Sequence, residues 1–192
     1  MNILKKVIKA ILAVLIIIII VVLVYAAYVF ISYNRIDDNK KLKINEPKVK
    51  SENISDKVNT NVEYTIGTYN VGFGAYLPDY SFFMDGGKYS RCYSKESSTD
   101  AIKGAASLSN GYNPDFMMFE EVDRKSTRSY GVNQENIITD IFDDYYSSFA
   151  VNYNSAYLFY PFYKPIGKSY SGIVLYSKFK ITDSLRRILP IS

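Results

Sequence analysis

Asn70 closes the run YTIGTYN, and Glu120 and Glu121 stand near the end of the run DFMMFEEV, so a carboxamide and two carboxylates terminate two short apolar segments. Amide and carboxylate oxygens are hard donors suited to Mg²⁺. That ion keeps several waters and needs only one or two protein carboxylates when a phosphate completes its shell. The plainer reading of the same residues is a polar strand exit with surface acids. Composition narrows the chemistry by exclusion. The 192 residues include no histidine, no tryptophan and one cysteine. A His-ligated metal, a Ser-His-Asp or Cys-His nucleophile and an imidazole base are therefore excluded for this chain alone. Cys92 has no second thiol to pair with and reads as a small buried residue.

Other candidates are weaker. Gly72-Phe73-Gly74 has Leu77 where a dinucleotide fingerprint needs its third glycine, and Pro78 follows in place of a helix start. Gly167-Lys168-Ser169 resembles the end of a phosphate-binding P-loop, but Phe162 occupies the first glycine position and Pro165 interrupts the cradle. Arg124, Lys125 and Arg128 follow the acidic pair. Arg128 is the one taken as a candidate substrate-phosphate ligand, with a polar surface loop as the alternative. Tyr153, Tyr157, Phe159, Tyr160, Phe162 and Tyr163 could stack on bases or sugars, although ordinary packing in a chain with 19 Tyr and 11 Phe explains them more simply.

The elements that must position these groups are legible from pattern. Tyr64 to Asn70 and Asp115 to Val122 are short apolar runs bounded by polar residues and read as buried strands. Between them Ser97 to Asn110 has helical composition, stopped by Asn110-Gly111, and Asn113-Pro114-Asp115 forms the turn into the second strand. Ile137, Ile138, Ile141 and Phe142 recur at helical spacing, which predicts a second helix over Asn133 to Phe142. Ser148 to Tyr153 and Gly172 to Ser177 read as further strands, giving an α/β class. In such sheets ligand sites gather at the carboxyl ends of strands. Strict alternation puts Glu121 on the face of Met117 and Phe119, and Glu120 on that of Phe116 and Met118, so only one of them points into a given site.

The first 32 residues carry no acid, and from Ala10 to Ile31 there is no charge at all. Lys5, Lys6 and Lys9 make a basic tail over 1–9 before this run. The pattern predicts an uncleaved transmembrane signal anchor over 10–32, with a cleaved signal peptide as the alternative. The short tail favours its own placement inside the cell, and a single pass that leaves the following domain extracytoplasmic. Residues 33–61, rich in Lys, Asn, Asp and Ser, read as a polar stalk, and 62–192 as one globular region. Twenty-three basic residues less the three anchor lysines leave twenty against 19 acidic ones, so the charge of +4 mostly reports topology.

TYNVGFG, PDFMMFEEVD and SGIVLYSKFKI, in that order, resemble the first half of the endonuclease/exonuclease/phosphatase superfamily, which includes DNase I-like nucleases, neutral sphingomyelinases and inositol polyphosphate phosphatases. GAYLPDYSFFMDGGKYSR, EEVDRKSTRSYGVNQ and NYNSAYLFYPFYKPIGKSYSGIVLYSK look like a membrane-anchored bacterial branch of it. The resemblance implies the N-terminal half of a DNase I-like four-layer α/β sandwich. It also implies one Mg²⁺ (or Mn²⁺) site, half supplied here by Asn70 and Glu121, with Glu120 where glutamine is usual. The implied reaction is Mg²⁺-dependent phosphoester hydrolysis, the substrate being nucleic acid, a phospholipid headgroup or a small phosphate ester. In the family a GDxN strand end and a terminal DH segment supply the base and the phosphate-stabilising His, and neither occurs in this sequence. The chain is thus expected to be a truncated product lacking its C-terminal half and inactive alone. The alternatives are a half completed by a second chain and a non-catalytic membrane-anchored binding module. Truncation further predicts a sheet left without its packing partner.

Overall fold

The computed structural model describes residues 2–33, 35–50 and 54–188. Positions 34 and 51–53 of the expected stalk, and 189–192 of the expected globular region, lie outside the described residues. The chain divides into two compact units, Met1–Asn34 and Arg35–Ser192.

The first unit is helix α1, Asn2–Ser32. Its Ile, Val and Leu side chains are largely exposed, and an 18-residue window within Ile3–Ser32 has a mean hydropathy of 3.5. Thirty-one residues make a helix about 45 Å long, more than a hydrocarbon core of about 30 Å requires. An apolar helix of this length fits a single-pass membrane anchor or a signal sequence.

The second unit is mixed α/β. Its strands are β1 (Lys40–Lys41), β2 (Ile44–Asn45), β3 (Ile66–Asn70), β4 (Phe116–Asp123), β5 (Tyr146–Asn154), β6 (Tyr170–Ser177) and β7 (Leu185–Arg186), with helices α2 (Lys95–Gly111) and α3 (Gln134–Ile141). Five strands form one sheet in the order β2-β5-β6-β4-β3. The β3–β4 pair is parallel and the other pairs are antiparallel, as expected when α2 carries the chain from one end of β3 back to the start of β4. Ser94 caps α2 by accepting from the Ser97 amide, while Ser97 returns a bond to the Ser94 amide.

Helices α2 and α3 cover one face of the sheet. Ile102, Ala106, Ile138 and Phe142 pack there against Met117, Phe119, Phe149, Val174 and Tyr176. The opposite face carries Ile66, Phe116, Met118, Ile173 and Leu175 by register, and Ile66 and Ile173 are exposed. On that face Phe179 stacks on Phe116 and the Ser184 hydroxyl meets that of Ser148, which leaves Phe116, Met118 and Leu175 half-buried.

Parts of the segment 33–61, read as a polar stalk, pair with the rest of the second unit. Lys40–Lys41 pair with β7, Ile44–Asn45 pair with β5, and Ser55 exchanges backbone bonds with Lys178 and Lys180. Two-residue strands are held largely through the backbone and are too short to show an apolar alternation.

Cys92 is fully buried in a second apolar cluster with Phe73, Ala75, Phe82 and Ile166, and its thiol donates to the Phe73 carbonyl at 3.3 Å. Burial pushes the thiol up to about 11 from its ordinary 9.0. A raised pKa of this kind favours the native state below pH 9, and that contribution is lost as pH rises through about 11. Native protein at pH 8 should resist iodoacetamide, and protein unfolded in urea should take up one label, which intact-mass measurement resolves. Equal labelling rates in the two states would contradict this burial.

Candidate functional site

Parallel pairing of β3 with β4 sets Asn70 opposite Glu120 at the carboxyl ends of the two strands. The next residue decides the geometry. Between Phe119 and Val122 strand β4 advances three positions while β6 advances two, from Val174 to Gly172, so one residue is extra and the strand bulges. Glu121 sits in that bulge with φ +55°, in the left-handed region that costs a non-glycine residue about 1–3 kcal/mol. Strict alternation across the acidic pair therefore fails. Val122 takes the next inward position after Phe119, and Glu121 is released to the sheet's end.

There Asn70 Nδ2 donates to Glu121 Oε1 at 3.0 Å, and Asn70 Oδ1 accepts from the Gly72 amide at 2.9 Å. Glu120 keeps to the face opposite the helices, where it accepts from the Thr68 hydroxyl. Asn70 and Glu121 are thus brought together, and Glu120 is not. The neighbouring rung carries a second bulge, since β5 moves from Val151 to Tyr153 while β6 moves only from Gly172 to Ser171. Gly172 lies between the two bulges. A methyl group on it would meet the Ala150 carbonyl oxygen at 2.3 Å, so the close approach of β5 here requires glycine.

Glu121 divides two depressions. One, of about 370 Å³, is lined by Tyr69, Asn70, Gly72, Tyr76 and Ala101 among others. The other, of about 260 Å³, is lined by Phe73, Tyr76, Asp85, Arg128, Asn152 and Tyr153 among others. Tyr76 borders both. Its ring lies against Gly72, whose φ of +50° and 2.4 Å clearance admit no side chain. Burial, then its hydrogen bond and proximity to Asp85, push the Tyr76 phenol up to about 12, so it remains a donor at neutral pH.

Arg128 is not in an exposed polar loop. Its guanidinium makes two bonds to the fully buried Asp123, at 3.0 and 2.9 Å, and lies 3.9 Å from the centroid of the Phe73 ring. Burial alone would lower its pKa, but the bonds to Asp123 and that residue's charge outweigh this and raise it. Arg128 therefore holds the wall of the smaller depression while its charge is committed to Asp123. Arg124 and Lys125 turn elsewhere. Both line a separate cavity of about 810 Å³ beside α3, where Arg124 stacks on Phe149 and pairs with Glu135.

Gln134, which pattern alone did not single out, ties these parts together. Wholly buried at the start of α3, it accepts from the Asp123 amide at 2.8 Å and donates to the Phe73 carbonyl and the Ser98 hydroxyl. Its only sequence signal is a position at the predicted start of a helix. Replacing it with leucine leaves the Asp123 amide buried without an acceptor, so Gln134→Leu should cost about 2 kcal/mol. An unchanged urea midpoint would refute this role.

Among the described residues no three Asp, Glu, Cys or His side chains converge as a metal cage. The donor set at the strand ends is one carboxylate and one carboxamide oxygen. That set is too small for a closed structural site, and it suits an ion that retains waters and takes its remaining ligands from a phosphate. Compared with protein-family models, curated proteins and solved structures, the chain matches none.

Proposed function

We propose that this chain carries half of the divalent-cation site of a phosphoester hydrolase on a membrane-anchored domain of the endonuclease/exonuclease/phosphatase type. Asn70 and Glu121 are the residues that hold Mg²⁺ or Mn²⁺, and the substrate class is a phosphoester, as in nucleic acid, a phospholipid headgroup or a small phosphate ester. The observation that carries the reading is Glu121 itself. The bulge holds this residue in the left-handed region, at a backbone cost that glycine would not bear, and so sets its carboxylate against Asn70.

Ile66 and Ile173, exposed on the face opposite the helices, add support, because a second layer of a sandwich would cover such positions. A bound cation would neutralise charge on the phosphoryl oxygens. The chain's own residues orient it: Asn70 is fixed by the Gly72 amide, and Glu121 by the bulge and by Asn70. Tyr76 offers a protonated hydroxyl at the border of both depressions. No imidazole is present to stabilise a pentacoordinate phosphate. The anchor is α1, in the orientation that leaves the domain outside the cell.

The reading predicts that the purified full chain in detergent binds Mg²⁺ yet does not hydrolyse bis(p-nitrophenyl) phosphate. Turnover by this chain alone, lost in E121Q, would show a complete site and overturn the half-site reading. A folded chain with no affinity for Mg²⁺ would instead favour a binding module on the same fold.

A further inference from the structure

The connection from β5 to β6 carries five aromatic residues in the seven positions from Tyr157 to Tyr163. Its base is firmly held. Leu158 and Gly167 exchange backbone hydrogen bonds at 3.2 and 3.0 Å, and Ser155 donates to Ser169 at 2.9 Å. Arg91 Nε and the Ser90 hydroxyl donate to the carbonyls of Pro165 and Lys164. Ile166, 2% exposed, plugs the base into the apolar cluster around Cys92.

The tip is the opposite. Phe162 is 85% exposed, Tyr163 78%, Tyr160 63% and Phe159 50%. Tip backbone groups bond internally, Lys164 to Pro161 and Ile166 to Tyr160, so the projection presents rings with part of its polar backbone already satisfied. A fixed loop that holds large rings in water is an unusual use of apolar surface and marks a contact site.

The chemistry selects the partner. Phenylalanine and tyrosine rings suit the boundary between headgroups and acyl chains, where the ring is buried and the tyrosine hydroxyl stays wet. The Tyr163 hydroxyl donates to the Lys88 backbone carbonyl, and Lys164 follows the tip, with the two ammonium groups over the Tyr89 and Tyr130 rings. Positive charge in the residues that flank the tip adds attraction to anionic headgroups. The same chain carries α1, apolar and long enough to cross a bilayer. We propose that the tip formed by Phe159, Tyr160, Phe162 and Tyr163 docks into the interfacial layer of a phospholipid bilayer. Asn152 and Tyr153, just before this loop in β5, line the depression shared with Glu121 and Arg128, so docking holds that depression close to the headgroups. The docking claim does not depend on what the depression binds.

The absence of tryptophan makes a direct test available. Phe162→Trp places the sole tryptophan at the tip, and Tyr112→Trp places it at the 74% exposed residue that ends α2, as a control. Each full-length variant is reconstituted into vesicles of phosphatidylcholine and phosphatidylglycerol, with or without bromine on the acyl chains. Docking predicts blue-shifted emission from F162W and loss of most of it in brominated vesicles, with little change for Y112W. Equal quenching at the two positions, or none at either, would overturn the proposal. So would blue-shifted F162W emission that bromine does not quench, since that result means cover by protein instead of lipid.

Discussion

Glu121→Gly is expected to abolish cation binding while leaving folding stability within about 1 kcal/mol of the parent. Two opposing effects set the stability. Glycine adopts φ +55° without strain, which removes a cost of about 1–3 kcal/mol. Against this stand the greater freedom of glycine in the unfolded chain, about 0.4–1 kcal/mol, and the lost bond from Asn70. Binding has no such compensation, because in the proposed site this carboxylate is the charged donor that meets Asn70. At a Mg²⁺ concentration a hundredfold above its dissociation constant, the parent gains about 2.7 kcal/mol of apparent stability, and E121G gains none. Glu120→Gln is the control, since that side chain bonds Thr68 on the other face and its loss should leave the Mg²⁺ shift intact. Thermal melts with and without Mg²⁺ read both effects. A large loss of stability in E121G would mean that the carboxylate is structural, and a Mg²⁺ shift lost in E120Q but kept in E121G would reverse the assignment.

The second large effect falls on Arg128. Asp123 is completely buried, and both of its oxygens are engaged, by Arg128 and by the Ser129 hydroxyl at 2.9 Å. Arg128→Ala leaves that carboxylate without its cation in a site closed to water, and breaking a buried pair from one side costs about 3–5 kcal/mol. The contact with the Phe73 ring is lost as well. Removing both charges in D123N/R128M is expected to recover a substantial part of the loss, because no uncompensated charge remains. Urea denaturation of the single and double variants measures this. A loss under about 1 kcal/mol in R128A would show that the pair is solvated, and would restore Arg128 as a free phosphate ligand.

These two residues also show where sequence pattern informs and where it stops. The strand, helix, strand order from Tyr64 to Val122 was legible, because apolar runs broken by Asn-Gly and Asn-Pro are local signals. So was the meeting of Asn70 with a glutamate, since parallel strands joined by a helix bring their carboxyl ends together. Which glutamate it was depended on the bulge, and a bulge is a relation between β4 and β6 that no run within β4 encodes. For Arg128 the pattern offers a phosphate ligand or a polar loop residue and does not show the pairing with Asp123, because Asp123 and the Phe73 ring that covers Arg128 meet it only in the folded chain. Composition explains the aromatic group from Tyr153 to Tyr163 most simply as packing, whereas the structure keeps its tip in water. Composition counts rings but does not say which way a loop turns them. The strands within 40–45 leave no pattern for a different reason: each is two residues long, too short to show an apolar alternation.

The most direct test of the half-site is a titration of Mn²⁺ into the full chain in detergent, followed by loss of the free-ion signal in electron paramagnetic resonance. The account predicts one bound ion per chain, displaced by Mg²⁺ and held more tightly when dimethyl phosphate is present. Affinity should be retained in E120Q and fall by more than about 100-fold in E121G, beyond what loss of a supporting outer-shell group brings. Absence of saturable binding by the folded parent, or binding of equal strength in E121G, would contradict it.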